Sequence, residues 1–278
     1  MLGGLGGLGG LAGLAACADG RAPTGGGGEE SLGAPRRLAY GADPSQWADL
    51  TLPTGPPRGV VVVVHGGFWR SEYGAELGEP LAADLAERGW AVLNVEYRRV
   101  GDGGGFPATL DDVAAAIDLL RGQRLATTPL VTLGHSAGGH LAAWAAARTR
   151  FDRWSGGVEV THVVSQAGVL DLTTAAREGI GSGAVVAFMG STPAQSPGDY
   201  DLADPTRHLP LDQPVWAVHA ADDEHVPPAQ STDYVVAATA AGGTAELVEV
   251  TGGHFDVIDT GSAAWERIVE VLEEIATP

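Results

Sequence analysis

Near the middle of the chain stands the segment Val131-Thr132-Leu133-Gly134-His135-Ser136-Ala137-Gly138-Gly139. An apolar run ends at its first glycine and an alanine-rich run follows its last, which predicts a strand, a sharp turn and a helix. Glycines two residues before and after a serine let such a turn close tightly, so that the serine hydroxyl stays exposed. The helix also directs backbone N–H groups toward negative charge that develops beside it. We therefore predict that Ser136 is a nucleophile.

The segments on either side of this turn alternate between strand and helix patterns. Short apolar runs predict strands over residues 60–64, 90–95, 130–133, 160–165, 215–220 and 246–250. Helical spacing of apolar residues predicts helices before Gly89, over residues 110–120 and over residues 265–275. This order predicts an α/β fold, with a mostly parallel central sheet and helices on both faces. The Gly- and Pro-rich stretch from about 171 to 209 is too long for a plain loop, and we expect a small cap there.

A second glycine-rich segment, Val64-His65-Gly66-Gly67-Phe68-Trp69, follows the first predicted buried strand. It has the pattern of an oxyanion loop, in which two glycines let the backbone pass close to a substrate carbonyl. We expect the amides near Gly67 and Phe68 to act together with that of Ala137 on the charge that develops during acyl transfer. His65 is predicted to brace this loop rather than to act as a base.

A serine hydroxyl needs a base, and a histidine base needs a carboxylate that fixes its tautomer. Among the eight histidines, His254 is the best placed, because it directly follows the last predicted strand. The segment after the preceding strand offers two neighbouring carboxylates: Asp223, four residues before Pro227, is the first choice, and Asp222 is the alternative. No histidine stands at metal-ligand spacing from cysteine or carboxylate, so we predict neither a metal nor an organic cofactor.

Together these segments resemble the esterase and lipase type of α/β-hydrolases, and within it the kynurenine formamidase-like branch. The resemblance extends from about residue 38 to the C-terminus and rests on His65 to Trp69, Asn94 to Arg98, Gly134 to Leu141, Asp223 to Pro227 and Gly253 to Phe255. It implies an α/β-hydrolase fold in which Ser136, Asp223 and His254 form a catalytic triad. Members of the family hydrolyse esters, aryl formamides or, in some cases, peptides. The pair Phe68-Trp69 in the oxyanion loop favours the formamidase-like branch.

From these residues we expect a serine hydrolase that cleaves small to medium carboxylic esters through an acyl-serine intermediate. Its activity should fall in mild acid as His254 is protonated. An arylformamidase that acts on N-formylkynurenine-type substrates is the alternative. A further alternative is a non-catalytic binding protein on a hydrolase scaffold, but such proteins lose a triad member and here all three residues are present. Acyl-chain length, leaving group and oligomeric state stay open.

The first 34 residues differ in composition from the rest of the chain. Residues 2–16 are uncharged and rich in Gly, Leu and Ala, and Leu14-Ala15-Ala16-Cys17 is similar to a bacterial lipoprotein box, although no basic residue precedes it. We expect a signal segment over residues 1–17 with a lipidated Cys17, a flexible tether over 18–34 and a hydrolase domain over 35–278. This organisation predicts an extracytoplasmic, membrane-anchored enzyme; a cytoplasmic enzyme with a glycine-rich leader is the alternative.

Charge and cysteine content exclude several other classes. The formal net charge of -19 at pH 7 repels phosphate backbones, so nucleic acid is excluded as a partner. A single cysteine cannot form a disulfide within the chain. The remaining partner is a small-molecule ester or amide substrate, with a membrane tether through Cys17.

Overall fold

The computed structural model describes residues 33–125 and 129–277. Cys17, the predicted signal segment and nearly all of the predicted tether therefore lie outside the described residues. Within those two ranges, no helix is both long enough and apolar enough to cross a membrane.

An eight-stranded sheet forms the centre of the fold. Its strands are β1 (Arg36–Ala39), β2 (Trp47–Thr51), β3 (Val60–Val64), β4 (Ala91–Val95), β5 (Leu130–His135), β6 (His162–Gln166), β7 (Val215–Ala220) and β8 (Ala245–Val250). They are arranged in the order β1-β2-β4-β3-β5-β6-β7-β8. The pairs β1–β2 and β2–β4 are antiparallel, whereas every pair from β4 to β8 is parallel. The predicted mostly parallel sheet is confirmed.

Helices connect most of these strands. In the part of the chain that is described, the α-helices are α1 (Glu79–Glu87), α2 (Ala108–Asp118), α3 (Ala137–Ala147), α4 (Leu172–Glu178), α5 (Ile180–Met189), α6 (Pro197–Ala203), α7 (Ala229–Ala240) and α8 (Ala263–Ala276). Short 3₁₀ turns cover Ala75–Gly78, Leu119–Gly122, Arg148–Arg150, Asp152–Trp154, Pro205–His208 and Asp256–Ile258.

The five valines of β3 show why the sheet is covered on both faces. Val60, Val62 and Val64 pack into one apolar cluster that includes residues of α2 and α3, whereas Val61 and Val63 pack into a second cluster with α1 and α8. Successive side chains of a strand point to opposite faces, so an unbroken run of β-branched residues requires helices on both sides. Each valine buried in this way contributes about 1.5 to 3 kcal/mol relative to an exposed one.

The stretch in which we expected a cap, residues 171–209, contains α4, α5, α6 and a 3₁₀ turn. It lies against α3: the Nε2–H of His140 donates to the carbonyl of Ala203 at 2.9 Å, and the indole N–H of Trp144 donates to the carbonyl of Leu202 at 3.0 Å. The helix that begins after Ser136 is therefore fully buried between this stretch and the sheet.

The loops that follow β3, β5, β7 and β8 all leave the sheet at the carboxyl ends of parallel strands. They carry the predicted oxyanion loop, Ser136, Asp223 and His254 in that order. Ligands of open α/β sheets bind at this edge. The topology thus brings four segments that are distant in sequence to one place.

Candidate active site

Ser136 occupies the turn between β5 and α3, with φ 54° and ψ -115°. A positive φ costs a residue with a Cβ about 1 to 3 kcal/mol, and such strain persists only where surrounding contacts maintain it. Here the Ser136 N–H donates to the carbonyl of Gln166 at 2.8 Å, and the Ser136 carbonyl accepts from Gly139 and His140 at 2.9 and 3.2 Å. The predicted strand, turn and helix around this serine are all present.

The glycines of the turn have no room for a side chain. A Cβ on Gly138 would overlap the carbonyl oxygens of Val64 and His65, which belong to the end of β3 and the loop after it. We expect Gly138→Ala to lower the free energy of unfolding by about 3 kcal/mol, because the paired strand cannot move aside. Denaturant unfolding measures this loss. Gly198→Ala in α6 is the matched control, since a Cβ there meets no atom within 4 Å; equal losses in the two variants would contradict the tight turn.

The loop after β3 has an unusual backbone. Gly67, Phe68 and Trp69 have φ values of 107°, 56° and 55°, and the last two are strained because they carry side chains. Among the described residues, no group accepts a hydrogen bond from the amides of Gly67, Phe68 or Ala137. Gly66 lies against the turn: a Cβ added to it would stand 3.2 Å from the Ser136 Cβ. The loop therefore offers unpaired amide donors beside the serine, as an oxyanion site requires.

Buried side chains brace this loop from below. The Nε2 of His65 lies 3.2 Å from the Oε1 of Glu96 and its Nδ1 lies 2.8 Å from the carbonyl of Gly66. The imidazole of His65 stacks on the ring of Tyr97 at 4.2 Å, and the Tyr97 hydroxyl donates to the His65 carbonyl at 2.8 Å. Both ring nitrogens of His65 thus contact buried acceptors, in agreement with the predicted role of bracing the loop.

Asp223 and His254 lie together as predicted. The Nδ1 of His254 is 2.7 Å from the Oδ2 of Asp223, and both side chains are buried. The other carboxylate oxygen, Oδ1, accepts from the amides of His225 and Val226 at 2.8 and 2.9 Å. A carboxylate on Nδ1 leaves Nε2 of His254 unprotonated and able to act as a base. The alternative carboxylate, Asp222, is exposed, and within the described residues it makes no hydrogen bond to His254.

The environment of Asp223 keeps it ionised. Burial opposes the charge, but hydrogen bonds from His219, from His254 and from the two amides outweigh burial and hold the carboxyl pKa well below its ordinary value. A carboxyl whose pKa is lower in the folded state stabilises the fold at any pH above its unfolded pKa of about 3.9, and this contribution is lost only as the pH falls further. In mild acid Asp223 therefore remains a carboxylate.

Ser136 and His254 line one pocket, of about 100 Å³, together with Gly67, Phe68, Tyr73, Leu77, His135, Phe255 and Ile258. No hydrogen bond joins the Ser136 hydroxyl to His254 among the contacts of the described residues. Such a bond is often long before substrate binds and tightens in the reacting complex. The serine and the histidine nevertheless line a single cavity, and Asp223, which does not line it, contacts the histidine.

A second, much smaller cavity of about 10 Å³ lies on the other side of Ser136. It is lined by Phe68, Trp69, Ser136, Ala137, Val169, Ile180, Ala184, Val185 and Val226. Its outer wall comes from α5, the central helix of the predicted cap. Ser136 thus lines two pockets, a larger one that contains the base and a much smaller, apolar one that does not.

Several residues of the site escaped the sequence reasoning. His219 contacts Asp223, and the Nε2–H of His135 donates to the carbonyl of His254 at 2.9 Å. Burial, with a smaller effect of the nearby His254, lowers the pKa of His135 to about 3, so it stays neutral. Tyr73 and Phe255, 40% and 58% exposed, line the larger pocket on its solvent side. The position of His135 next to Ser136 in the sequence indicated that it lies in the site, but the other contacts depend on how the loops fold.

The sequence predicts no metal site. In residues 33–125 and 129–277, no group of three or more His, Cys, Asp or Glu side chains is arranged to hold a metal ion. The acyl-transfer chemistry of a serine, a histidine and a carboxylate needs none.

The sheet order, the strained serine turn and the residues around it define the α/β-hydrolase class. The chain belongs to the BD-FAE family, whose model matches residues 49–237.

Individual relatives agree with this class. The chain is 36% identical over 121 residues to Esterase LipC of Mycobacterium tuberculosis, a match that covers 40% of this chain and 29% of that protein, so the chain spans less than a third of the relative's length. A truncated carbohydrate esterase from gut microbiota superposes with a TM-score of 0.73 at 22% identity, over 90% of this chain and 99% of that one. Esterase B from Lactobacillus rhamnosis, solved with a tributyrin phosphonate inhibitor, gives a TM-score of 0.74 at 22% identity over 88% and 85% of the two chains. At these identities the two structures show the shared fold.

Proposed function

We propose that this protein is a serine esterase that hydrolyses small, uncharged carboxylic esters. The observation that carries the proposal is that Asp223 contacts His254, and that His254 lines the same pocket as the strained Ser136. The three residues stand in the chain order Ser, Asp, His that α/β-hydrolases use. Esterases among the relatives, and membership of the BD-FAE family, support the same reaction type.

The proposed reaction has two halves. His254 takes the proton of the Ser136 hydroxyl as the oxygen attacks the ester carbonyl, and the unpaired amides of Gly67, Phe68 and Ala137 stabilise the resulting oxyanion. The tetrahedral intermediate then collapses, the bond to the leaving alcohol breaks, and His254 gives its proton to that alcohol. Water repeats the sequence on the acyl-serine and releases the carboxylic acid. Throughout, Asp223 holds the imidazole and balances its transient positive charge.

The two cavities give each half of the substrate a place. The leaving oxygen must receive a proton from His254, so the alcohol occupies the larger pocket, which contains this histidine, against Tyr73 and Phe255. The acyl group then occupies the apolar cavity behind Ser136. A volume of about 10 Å³ has room for about one water-sized group, so the acyl chain must be very short. A panel of p-nitrophenyl esters of rising chain length tests the proposal, with hydrolysis expected to be fastest for acetate.

Widening the small cavity should lengthen the preferred acyl chain. Val185 in α5 is 1% exposed and lines this cavity. Because a methylene group in a fitted apolar pocket changes relative rates by about 10-fold or more, we expect Val185→Ala to raise the butyrate to acetate ratio of kcat/KM by about tenfold. Val236→Ala is the control, since Val236 is 64% exposed on α7. An unchanged ratio in Val185→Ala would place the acyl group elsewhere.

An arylformamidase is the second candidate, within the kynurenine formamidase-like branch. It is favoured by the bulky pair Phe68-Trp69 in the oxyanion loop, by a cavity behind Ser136 that suits a formyl group, and by the aromatic mouth formed by Tyr73 and Phe255. The comparison that separates the candidates is kcat/KM for N-formylkynurenine against kcat/KM for phenyl acetate. A much higher value for the formamide would replace the esterase proposal by this one.

We also propose, from sequence alone, that the enzyme is extracytoplasmic and tethered through a lipid on Cys17. Cys17 lies outside the described residues, so the proposal rests on the segment Leu14-Ala15-Ala16-Cys17. An exported enzyme meets esters from the surroundings more readily than a metabolite of the cytoplasm. Mass analysis of the mature N-terminus tests this: a diacylglyceryl mass on Cys17 is expected, and an unmodified thiol would favour the cytoplasmic alternative.

A further inference from the structure

Asp223 is contacted by two histidines. The Nδ1 of His254 lies 2.7 Å from Oδ2, and the Nε2 of His219 lies 3.2 Å from the same oxygen on another side. The side chains of His219, Asp223 and His254 are 2%, 0% and 3% exposed, so no solvent competes for these contacts. The acyl-transfer mechanism uses only one of the two histidines.

The partners of His219 determine which of its nitrogens carries the proton. Its Nε2 faces two acceptors, the carboxylate of Asp223 and the carbonyl of Val226, the latter at 3.0 Å. A carbonyl oxygen only accepts hydrogen bonds, so the proton of a neutral His219 lies on Nε2. The Nδ1 then accepts a hydrogen bond from the hydroxyl of Ser231, which is 2.7 Å away and fully buried. The Val226 carbonyl therefore fixes the tautomer that turns an N–H of His219 toward Asp223, and the hydroxyl of Ser231 supports this tautomer at Nδ1.

This arrangement spans three elements. His219 is in β7, Asp223 is in the loop that follows, and Ser231 is in the first turns of α7. Asp223 consequently faces four N–H groups: His254 donates to Oδ2, the amides of His225 and Val226 donate to Oδ1, and the Nε2–H of His219 is shared between the Val226 carbonyl at 3.0 Å and Oδ2 at 3.2 Å. The two amides hold Oδ1, whereas His219 is the one group besides His254 that contacts Oδ2 among the described residues.

We propose that His219 is a positioning residue of the reaction: it fixes the Asp223 oxygen that orients His254 and shares the negative charge of that oxygen. The inference rests on the proposed esterase function. A second donor lowers the charge that His254 experiences, because a charge-assisted hydrogen bond withdraws electron density from the oxygen. Without His219 the carboxylate moves more freely and stabilises the protonated form of His254 more strongly. His254 then stops acting as a base at a higher pH, and its ring is held less firmly.

Other groups near His254 do not supply this effect. His135 lies on one side of the ring at 4.5 Å between centroids and stays neutral because burial and the nearby His254 lower its pKa to about 3. His225 stacks on the other side at 5.1 Å. Within residues 33–125 and 129–277, neither of these two side chains makes a hydrogen bond to the Asp223 carboxylate. A change in the pH profile on substitution of His219 therefore reports the His219 contact with Asp223.

The test compares His219→Leu, which removes the donor, with His219→Gln, whose amide nitrogen can stand where Nε2 does. For His219→Leu we expect kcat for p-nitrophenyl acetate to fall about 10- to 100-fold with KM nearly unchanged, since a hydrogen bond to a charged group contributes about 1.5 to 3 kcal/mol. We also expect the acidic limb of kcat/KM to move to higher pH by about half a unit or more. His219→Gln should recover most of both effects.

Ser231→Ala provides the test if His219→Leu does not fold, because it leaves His219 in place and removes only the hydroxyl that holds its Nδ1. A roughly two- to tenfold loss of kcat, with the same direction of pH shift, is expected. Ser155→Ala, at an exposed position, is the matched control. A merely structural role for His219 predicts lower unfolding stability in all three variants with an unmoved acidic limb, and that result would overturn the inference.

The outcomes separate this inference from the proposed function. If the wild-type protein hydrolyses esters through Ser136 while the His219 and Ser231 variants keep the native rate and profile, the inference alone fails. If the wild-type protein hydrolyses none of the p-nitrophenyl esters and Ser136 does not react with a fluorophosphonate, the proposed function fails and the role of His219 fails with it.

Discussion

Replacing Ser136 by alanine is expected to lower kcat for p-nitrophenyl acetate by about a million-fold. Ser136 is the only serine, threonine or cysteine among the residues that line the two pockets, and the loss of a nucleophilic serine in such a triad has an effect of about this size. Alanine carries the same Cβ, so the strained turn at φ 54° and its hydrogen bond to the carbonyl of Gln166 persist. The fold and substrate binding should therefore survive, which separates a lost reaction from a lost structure.

Two measurements make this expectation specific. Steady-state hydrolysis gives kcat and KM, and mass spectrometry after fluorophosphonate treatment locates the modified residue. The wild-type protein should gain one adduct on the peptide that contains Ser136, and the Ser136→Ala variant should gain none. Hydrolysis at the native rate by Ser136→Ala, with unchanged unfolding stability, would contradict the assignment of the nucleophile and with it the proposed function.

The central part of the fold could be predicted because its sequence patterns are long and unambiguous. The five valines of β3 permit only a strand covered on both faces, and α8 has an apolar stripe with regular helical spacing. The antiparallel strands β1 and β2, by contrast, were not predicted. Their segments, Arg36–Ala39 and Trp47–Thr51, mix polar and apolar residues, and they become strands only because the edge of β4 is available for pairing.

Helix α7 was missed for a related reason. Its sequence, Ala229–Ala240, contains Ser, Thr and paired valines, which have low helix propensity, and no regular apolar stripe. Tertiary packing compensates: Tyr234 is 1% exposed, and Ser231 is buried against His219. The same packing creates the contact to Asp223, so missing this helix also meant missing the second histidine.

The residues expected at the active site could be predicted as a group because parallel strands end at one edge of the sheet. Their order along the chain was sufficient to bring Ser136, Asp223 and His254 together. Distances within the group were not predictable, because they depend on loop conformations. The choice between Asp222 and Asp223 is an example: one residue step along a turn reverses which carboxylate faces inward, and only the folded loop, with its amides on Asp223, shows which one does.

The pair of neighbouring carboxylates provides its own control for the second large effect. We expect Asp223→Asn to lower kcat/KM for p-nitrophenyl acetate by about 10,000-fold, whereas Asp222→Asn, at an exposed position, should stay close to the native value. In the first variant the side-chain NH₂ takes the place of one of the two carboxylate oxygens. One place faces His254 and His219 and the other faces two backbone amides, so the NH₂ opposes N–H donors in either place. If the NH₂ faces His254, the imidazole proton moves to Nε2, and His254 can then no longer accept the proton of Ser136.

If the NH₂ instead faces the two backbone amides, it opposes their N–H groups and lowers the unfolding stability. Thermal unfolding measured beside kcat/KM distinguishes these outcomes, and a large loss in Asp222→Asn with a native rate in Asp223→Asn would reverse the assignment of the acid.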